Sequence, residues 1–459
     1  MLPVLLVLGV CCLKDRSVRV SLVRLLGRMD RVFPKVLVIS HNVFSRTMNV
    51  GRFLADTFKD WPGDKLSQLF FYDEIPTTTL CKNYYRITDY DVLASILHPG
   101  QVCGHILTEA DIDVSLDNSV SDDVKESKLY RLKEKHERLA RFLREAAWAT
   151  GIWKTKQLDN WIRNTRPDII YYVMSDYCFP FMVTEYIAKK YDIPVFVSIE
   201  DDYYFNFPVS GMCDRIRIIR YRKDAERMID HAFGVSYASE IMKDLYEERF
   251  HKNGIIQLKS AVILPRKQER GDTVQFLYAG SMSFGRWKSL IEIGKVLEQY
   301  DAKLIIYSNT DDEDILAEIA KCQKIEYRGF APAEKIEEEI LASDILLVVE
   351  SFDEDSINRV KCSLSTKIAD YIGAGRCILA CGPKEVGSID YLLRNDAAVV
   401  TDYDGLSDAV ELMIKKPEET ERFLENALGL AKRNHSSSMI TELLFNELKK
   451  GMKRKEQFS

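Results

Sequence analysis

No two of the ten cysteines form a CxxC pair, and none is spaced with histidine as a zinc site requires. Cys11 and Cys12 are adjacent and do not readily bond to each other. The cysteines read as reduced, small apolar residues of a cytosolic chain. Long hydrophobic runs are also lacking. The run LPVLLVLGVCCL at 2–13 falls short of the ~20 residues that a spanning helix needs. It has neither a basic segment before it nor a small-residue cleavage site after it, so it makes a poor secretory signal. Nor is there an excess of positive charge: the net charge is −6 with 29% charged residues, which excludes a general nucleic-acid binder.

What is present is enough apolar surface, 46% of 459 residues, for two hydrophobic cores. Lys14 to Arg31 holds six basic and two acidic residues. An upstream extension before a start at Met29, a membrane-surface anchor and an extra packed helix compete for it. The strand-like run Lys35–Ser40 favours the first. From there, short apolar runs alternate with 3.6-period segments, the pattern of an α/β protein with parallel sheets. Val36–Ile39, Gln68–Tyr72, the run within Arg166–Asp176, Pro194–Ile199 and Val274–Tyr278 read as strands. Phe181–Tyr191, the basic segment Arg215–Arg227 and Ser289–Tyr300 read as helices. Ser127–Trp148 reads as a charged helix with a solvated face, and the Asp/Ser-rich stretch 107–127 as an exposed loop. A polar linker is expected near 264–272.

Three stretches carry candidate chemistry. Glu200-Asp201-Asp202 sits at the carboxyl end of a strand, where open α/β sheets bind ligands. An acidic helix cap is the competing reading for Asp202. The loop Gly280–Gly285 lacks both the GxGxxG and the GxxxxGK[ST] patterns, yet it leads to Arg286 and Lys288 at a helix mouth suited to a diphosphate. Finally, Ser363–Pro383 opens with Ser363, Ser365, Thr366 and Lys367, continues as an apolar helix, turns at Gly-Ala-Gly and ends in the buried run Cys377–Ala380. Its helix N-terminus is expected to offer a place for an anion. Asp111-x-Asp113 and Asp353-x-Asp355 are poorly placed for a metal, and His41 after the first strand reads as structural.

The stretch STKIADYIGAGRCILACGP (365–383) resembles the donor-binding helix of retaining GT-B glycosyltransferases of family 4. Asp370 stands where that family usually has Glu, Arg376-Cys377 where Lys/Arg-Pro is usual, and Cys362 where its other acid would fall. The resemblance implies two Rossmann-like parallel-sheet domains facing across a cleft, with a C-terminal helix returning to the first. The implied division is an extension over 1–30, an acceptor-side domain over 31–265 joined by 436–459, and a nucleotide-sugar domain over 266–435. It also implies sugar transfer with retention from a nucleoside-diphosphate sugar to a glycan or lipid-linked acceptor, in bacterial surface-polysaccharide synthesis, with no metal or other cofactor. Implied donor-binding residues are Gly280, Ser281, Arg286, Lys288, Arg328, Gly329, Ser365, Thr366, Lys367 and Asp370. Lys288 is the surer carry-over and Arg286 the weaker. Asn49, Gly51, Asp201 and Asp202 would face the acceptor, although Gly51 has the alternative of a tight turn. Asp202, Lys288 and Lys367 are the expected catalytic residues. The basic segments, including Lys449–Lys455, are read either as a peripheral contact with the cytoplasmic membrane face or as solvated surface. A non-catalytic GT-B-like binding protein and a GT-B nucleotide-sugar epimerase are the competing accounts.

Overall fold

Runs such as Val36–Ser40 and Ile345–Val349 are buried at every position. A strand apolar on both faces is stable only where helices cover both sides of its sheet. The structure, a computed structural model, describes residues 32–46, 49–114, 141, 143–207, 212–266 and 271–458. The chain divides after Pro34, and 35–459 form the unit considered below. The expected N-terminal extension and most of the charged helix 127–148 lie outside the described residues.

The first half supplies β1 (Val36–Ser40), β2 (Leu66–Phe70), β3 (Tyr84–Arg86), β4 (His105–Leu107), β5 (Ile169–Val173), β6 (Val195–Ile199), β7 (Gly234–Tyr237) and β8 (Ile255–Ile256). They form one sheet in the order β4-β3-β2-β1-β5-β6-β7-β8. Only β3–β4 pair antiparallel. The second half supplies β9 (Val274–Ala279), β10 (Ala302–Tyr307), β11 (Ile325–Tyr327), β12 (Ile345–Val349), β13 (Cys377–Cys381) and β14 (Val399–Thr401). These form a fully parallel sheet, β11-β10-β9-β12-β13-β14. Both orders reverse once beside the first strand of the half, and this is where open α/β sheets hold ligands.

The second strand begins two residues earlier than its apolar run suggests, because Leu66 pairs with Val36. β4 has no counterpart in the sequence reading. It has only three residues, and two of them are exposed. Helices begin where short polar side chains satisfy free amides: Ser239 accepts from Met242 N, and Thr88 and Asp91 cap each other.

The chain passes between the sheets twice. At the first crossing, Asp56 of helix Asn49–Thr57 accepts from both Ser260 N and Ser260 Oγ at 2.6 Å. At the second, His435 is buried, and its backbone O accepts from Ala261 N at 2.8 Å. His435 Nδ1 lies 2.7 Å from Lys259 O, so it carries the proton, and Nε2 accepts from Tyr391 Oη at 2.8 Å. The last helix, Ser437–Phe458, returns to the first sheet. It buries Ile440, Leu444, Phe445 and Leu448 but leaves Leu443 exposed, and the rings of Trp61 and Phe445 lie 6.3 Å apart.

Candidate active site

β9 and β12 are neighbours in the sheet although two strands separate them in the chain, so a crevice opens at their carboxyl ends. Helix Arg286–Leu297 starts there, which places Arg286 and Lys288 in its first turn. Arg286 Nε and Nη2 donate to Glu350 Oε2 and Oε1 at 2.8 and 3.2 Å, and Glu350 is buried just past β12. This pair fixes the guanidinium while leaving its other N–H groups for a ligand. Lys288 Nζ lies 2.5 Å from Asp353 Oδ2 in a pair about half exposed on both sides. Arg286, the weaker expectation, is thus the more firmly held.

Gly280 has φ +153°, and a Cβ there would meet Lys367 Nζ at 1.7 Å. Only glycine leaves room for the ammonium to lie across the end of β9. Lys367 Nζ sits 4.5 Å from the Tyr278 ring centroid and 3.5 Å from its hydroxyl, while that hydroxyl donates to Ser281 O at 2.6 Å. Burial first, and the positive charge of Arg286 second, lower Lys367 to about 7, with Glu350 pulling the other way. No ion pair of Lys367 exists among the described residues. Two cations therefore converge on one crevice, and only one has a carboxylate. The helix expected to offer an anion place, Lys367–Gly373, is only seven residues long, and the Thr366 side chain does not cap it. The cation at its mouth is the Lys367 side chain. Thr366 is exposed, and Ser365 N donates to Ser388 Oγ at 2.9 Å.

Across the cleft, Glu200, Asp201 and Asp202 follow β6. Asp201 is solvent-accessible yet enclosed between the sheets. That enclosure raises its carboxyl, with Asp176 and Asp202 adding to the rise, although Tyr203 Oη donates to it at 3.3 Å. Asp202 Oδ1 accepts from Phe205 N and Tyr246 Oη, both at 3.0 Å, and burial raises its carboxyl too. The backbone bond closes a turn over 203–205, and no helix starts there for Asp202 to cap. The Cys362 thiol lies close enough to feel its charge. Burial and that carboxylate push Cys362 up to about 12, so it stays a neutral thiol.

Gly51 does not face the cleft. It is buried in helix Asn49–Thr57, where a Cβ would meet Val43 O at 2.2 Å. Close packing, not the acceptor, explains this glycine, and its neighbours Val50 and Phe53 line the cleft instead. Asn49 begins that helix, and its side chain lies outside the described residues. His41 is buried among Phe71, Tyr72, Tyr177 and Phe179, and burial lowers it to about 3. A cavity of 240 Å³ lies between the sheets, bounded by Glu200 and Asp201 on one side and Ser363–Thr366 on the other.

No protein-family model matches the chain, and no curated protein sequence does. Solved structures do. Anabaena HepE, in complex with UDP and glucose, gives a TM-score of 0.59 at 12% identity, over 91% of this chain and 100% of that one. An α,α-trehalose 6-phosphate synthase from Burkholderia multivorans gives 0.56 at 10% identity, covering 93% and 98%. A glycosyltransferase from Rickettsia africae gives 0.56 at 12% identity, covering 92% and 98%.

The fold is GT-B.

Within this GT-B frame, Arg328 and Gly329 stand after β11, two strands from β9. Arg328 is occupied by Glu326 at 2.8 Å, Glu339 at 3.1 Å and Tyr307 Oη at 3.2 Å. Gly329 has φ +71°, a Cβ there would meet nothing within 4 Å, and its carbonyl accepts from Ser308 N at 3.0 Å. Asp370 is also engaged: Lys259 Nζ lies 2.6 Å from both its carboxylate oxygens. Sequence reasoning missed Lys259, because nothing local marks a partner 111 residues away. Arg376 is buried and donates to five carbonyls, those of Ser343, Pro265, Ala374, Gly375 and Leu341. Its place is structural. Among the described residues no three His, Cys, Asp or Glu gather as metal ligands. Asp111 caps Thr108, and Asp353 pairs with Lys288.

Proposed function

We propose that the chain is a glycosyltransferase that moves a sugar from a nucleoside-diphosphate sugar to a glycan or lipid-linked acceptor with retained configuration, in surface-polysaccharide synthesis of the family 4 type. One observation carries the reading: Arg286 and Lys367 converge at the β9–β12 crevice, and Lys367 lacks a carboxylate partner among the described residues. An anion entering there relieves their repulsion and restores the proton to Lys367. As the bond from the anomeric carbon to the diphosphate breaks, negative charge grows on the departing oxygen. Preorganised cations stabilise that charge more than they stabilise the ground state. Lys288, on its exposed pair, contributes less, and Asp202 faces the transferring sugar across the cleft.

The acceptor reading draws on the same half of the chain. Helix Met212–His231 exposes Arg215, Ile216, Ile219, Arg220 and Lys223, a basic and apolar stripe suited to an anionic lipid surface. No helix among the described residues is long and apolar enough to cross a membrane.

The neutral thiol of Cys362 favours a second reading, a binding protein that holds a nucleotide sugar without turning it over. Purified protein screened against UDP-, GDP-, CDP- and dTDP-sugars separates the two. A donor at one hundred times its Kd adds about 2.7 kcal/mol of stability, a rise of several degrees in Tm. The transferase also releases nucleoside diphosphate slowly in the absence of acceptor. A Tm rise without release supports the binding protein. No rise with any donor contradicts both readings.

A further inference from the structure

Ile199, Tyr237 and Ile256 stand side by side in the register of β6, β7 and β8. The next residues, Glu200, Ala238 and Gln257, therefore form a row at the sheet end, and all three line the interlobe cavity. Gln257 is 3% exposed, and neither its amide oxygen nor its amide nitrogen has a partner. Its backbone is fixed, since Gln257 N donates to Tyr237 O at 3.0 Å. An amide left so costs about 1–3 kcal/mol, a cost that a ligand's hydrogen bonds would offset.

We propose that this row is a subsite for one uncharged, polyhydroxylated ring of the acceptor, with Gln257 and Glu200 reading its hydroxyls from either side of Ala238.

Five observations point to that chemistry. Adjacent strands lie about 4.8 Å apart, so the two readers stand about 10 Å apart at Cα, with a small residue between them where a ring fits. The cavity of 240 Å³ has room for about eight waters, the scale of a single sugar ring. Val50, Phe53 and Leu364 give it apolar walls for ring C–H faces. Burial pushes Glu200 up to about 8, with Asp201 adding to the rise and the Ser198 hydroxyl, 2.5 Å away, opposing it. Near neutral pH this carboxyl can donate as well as accept, as a hydroxyl requires. The charged groups around the cavity disfavour an anion: Asp201 is an acid, and the Lys259 ammonium is already taken by Asp370.

The proposal deepens the transferase reading and rests on it for the word acceptor. The test is ligand-observed saturation-transfer NMR on the full chain with methyl hexosides, with free glucuronate as the anionic control, alongside separate titrations of nucleotide and nucleotide sugar. Neutral hexosides are expected to bind in the presence of saturating nucleotide, and glucuronate at least tenfold more weakly. Gln257→Leu, which keeps the volume, is expected to weaken the hexosides at least tenfold and leave nucleotide affinity unchanged. Equal binding to Gln257→Leu and wild type overturns the proposal, as does preference for glucuronate. Weakened nucleotide-sugar binding in Gln257→Leu, with free nucleotide unaffected, assigns the row to the donor's glycosyl ring and overturns the acceptor assignment. Failure of every nucleotide to bind, with hexoside binding still dependent on Gln257, sinks the transferase reading and keeps the sugar subsite.

Discussion

Lys367 is an ammonium held against a tyrosine ring and facing a guanidinium, and the fold gains nothing from that placement. Its value in the folded chain, about 7, lies below its ordinary 10.5. Between those values the unfolded chain holds the proton and the folded chain does not, so this group's contribution to stability rises with pH across that window. Replacing it with methionine removes a partly buried charge that has no ion-pair partner among the described residues, a change that is often neutral or stabilising. The expectation for Lys367→Met is therefore a Tm at pH 6.5 no lower than wild type, with a smaller rise in stability between pH 7 and 9. Calorimetry across that range checks it, and a clear drop in Tm would mean the amine holds the fold together. Lys288 was open to the same reasoning from its position in the chain. Its pairing with Asp353, 65 residues on, is invisible to spacing, and so is the Glu350 carboxylate that holds Arg286, the weaker carry-over, more firmly than Lys288.

At the scale of elements, the motif's second half is held by Arg376. Its guanidinium joins the linker carbonyl of Pro265, the end of helix Ala333–Ala342 and the turn before β13. Arg376→Met strands those buried acceptors and should cost about 3–5 kcal/mol, read as a lower urea midpoint at unchanged slope. A loss under about 1 kcal/mol would show that water replaces the guanidinium. The strands were legible because runs such as Cys377–Ala380 are apolar on both faces, a pattern that buried parallel strands share with little else of that length. β4 was not, since its three residues, two of them exposed, acquire their conformation only from β3. The site was legible in part. Lys367 and the 200–202 acids carry local signals of residue type at a strand or helix end. Gln257 and Lys259 carry none, because a two-strand register and a contact across the hinge give them their places. Gly51 is read from the sequence as facing the acceptor or allowing a tight turn, and the structure shows a third cause, the close approach of Val43 O inside a helix.

For the whole molecule, the last helix ties the two sheets together. Ile440, Leu444, Phe445 and Leu448 each contribute about 1.5–3 kcal/mol by burial, a total comparable with the ~5–15 kcal/mol margin of a folded domain. A chain ending at residue 436 should lose cooperative unfolding of the first sheet, seen as early proteolysis between 35 and 265. An unchanged proteolytic pattern would contradict the packing described. Between the sheets, neighbouring residues hold opposite partners: Lys259 binds Asp370, and Ser260 binds Asp56. The cleft between them is where a diphosphate would meet Arg286 and Lys367, and its affinity should follow the Lys367 proton. Nucleotide-sugar binding measured by calorimetric titration from pH 6 to 9 tests this most directly. Affinity should be greatest below pH 7 and fall by up to about tenfold per unit above it, while Lys367→Met binds weakly and without that slope. A flat wild-type profile, or a variant that binds as tightly as wild type, would contradict the account.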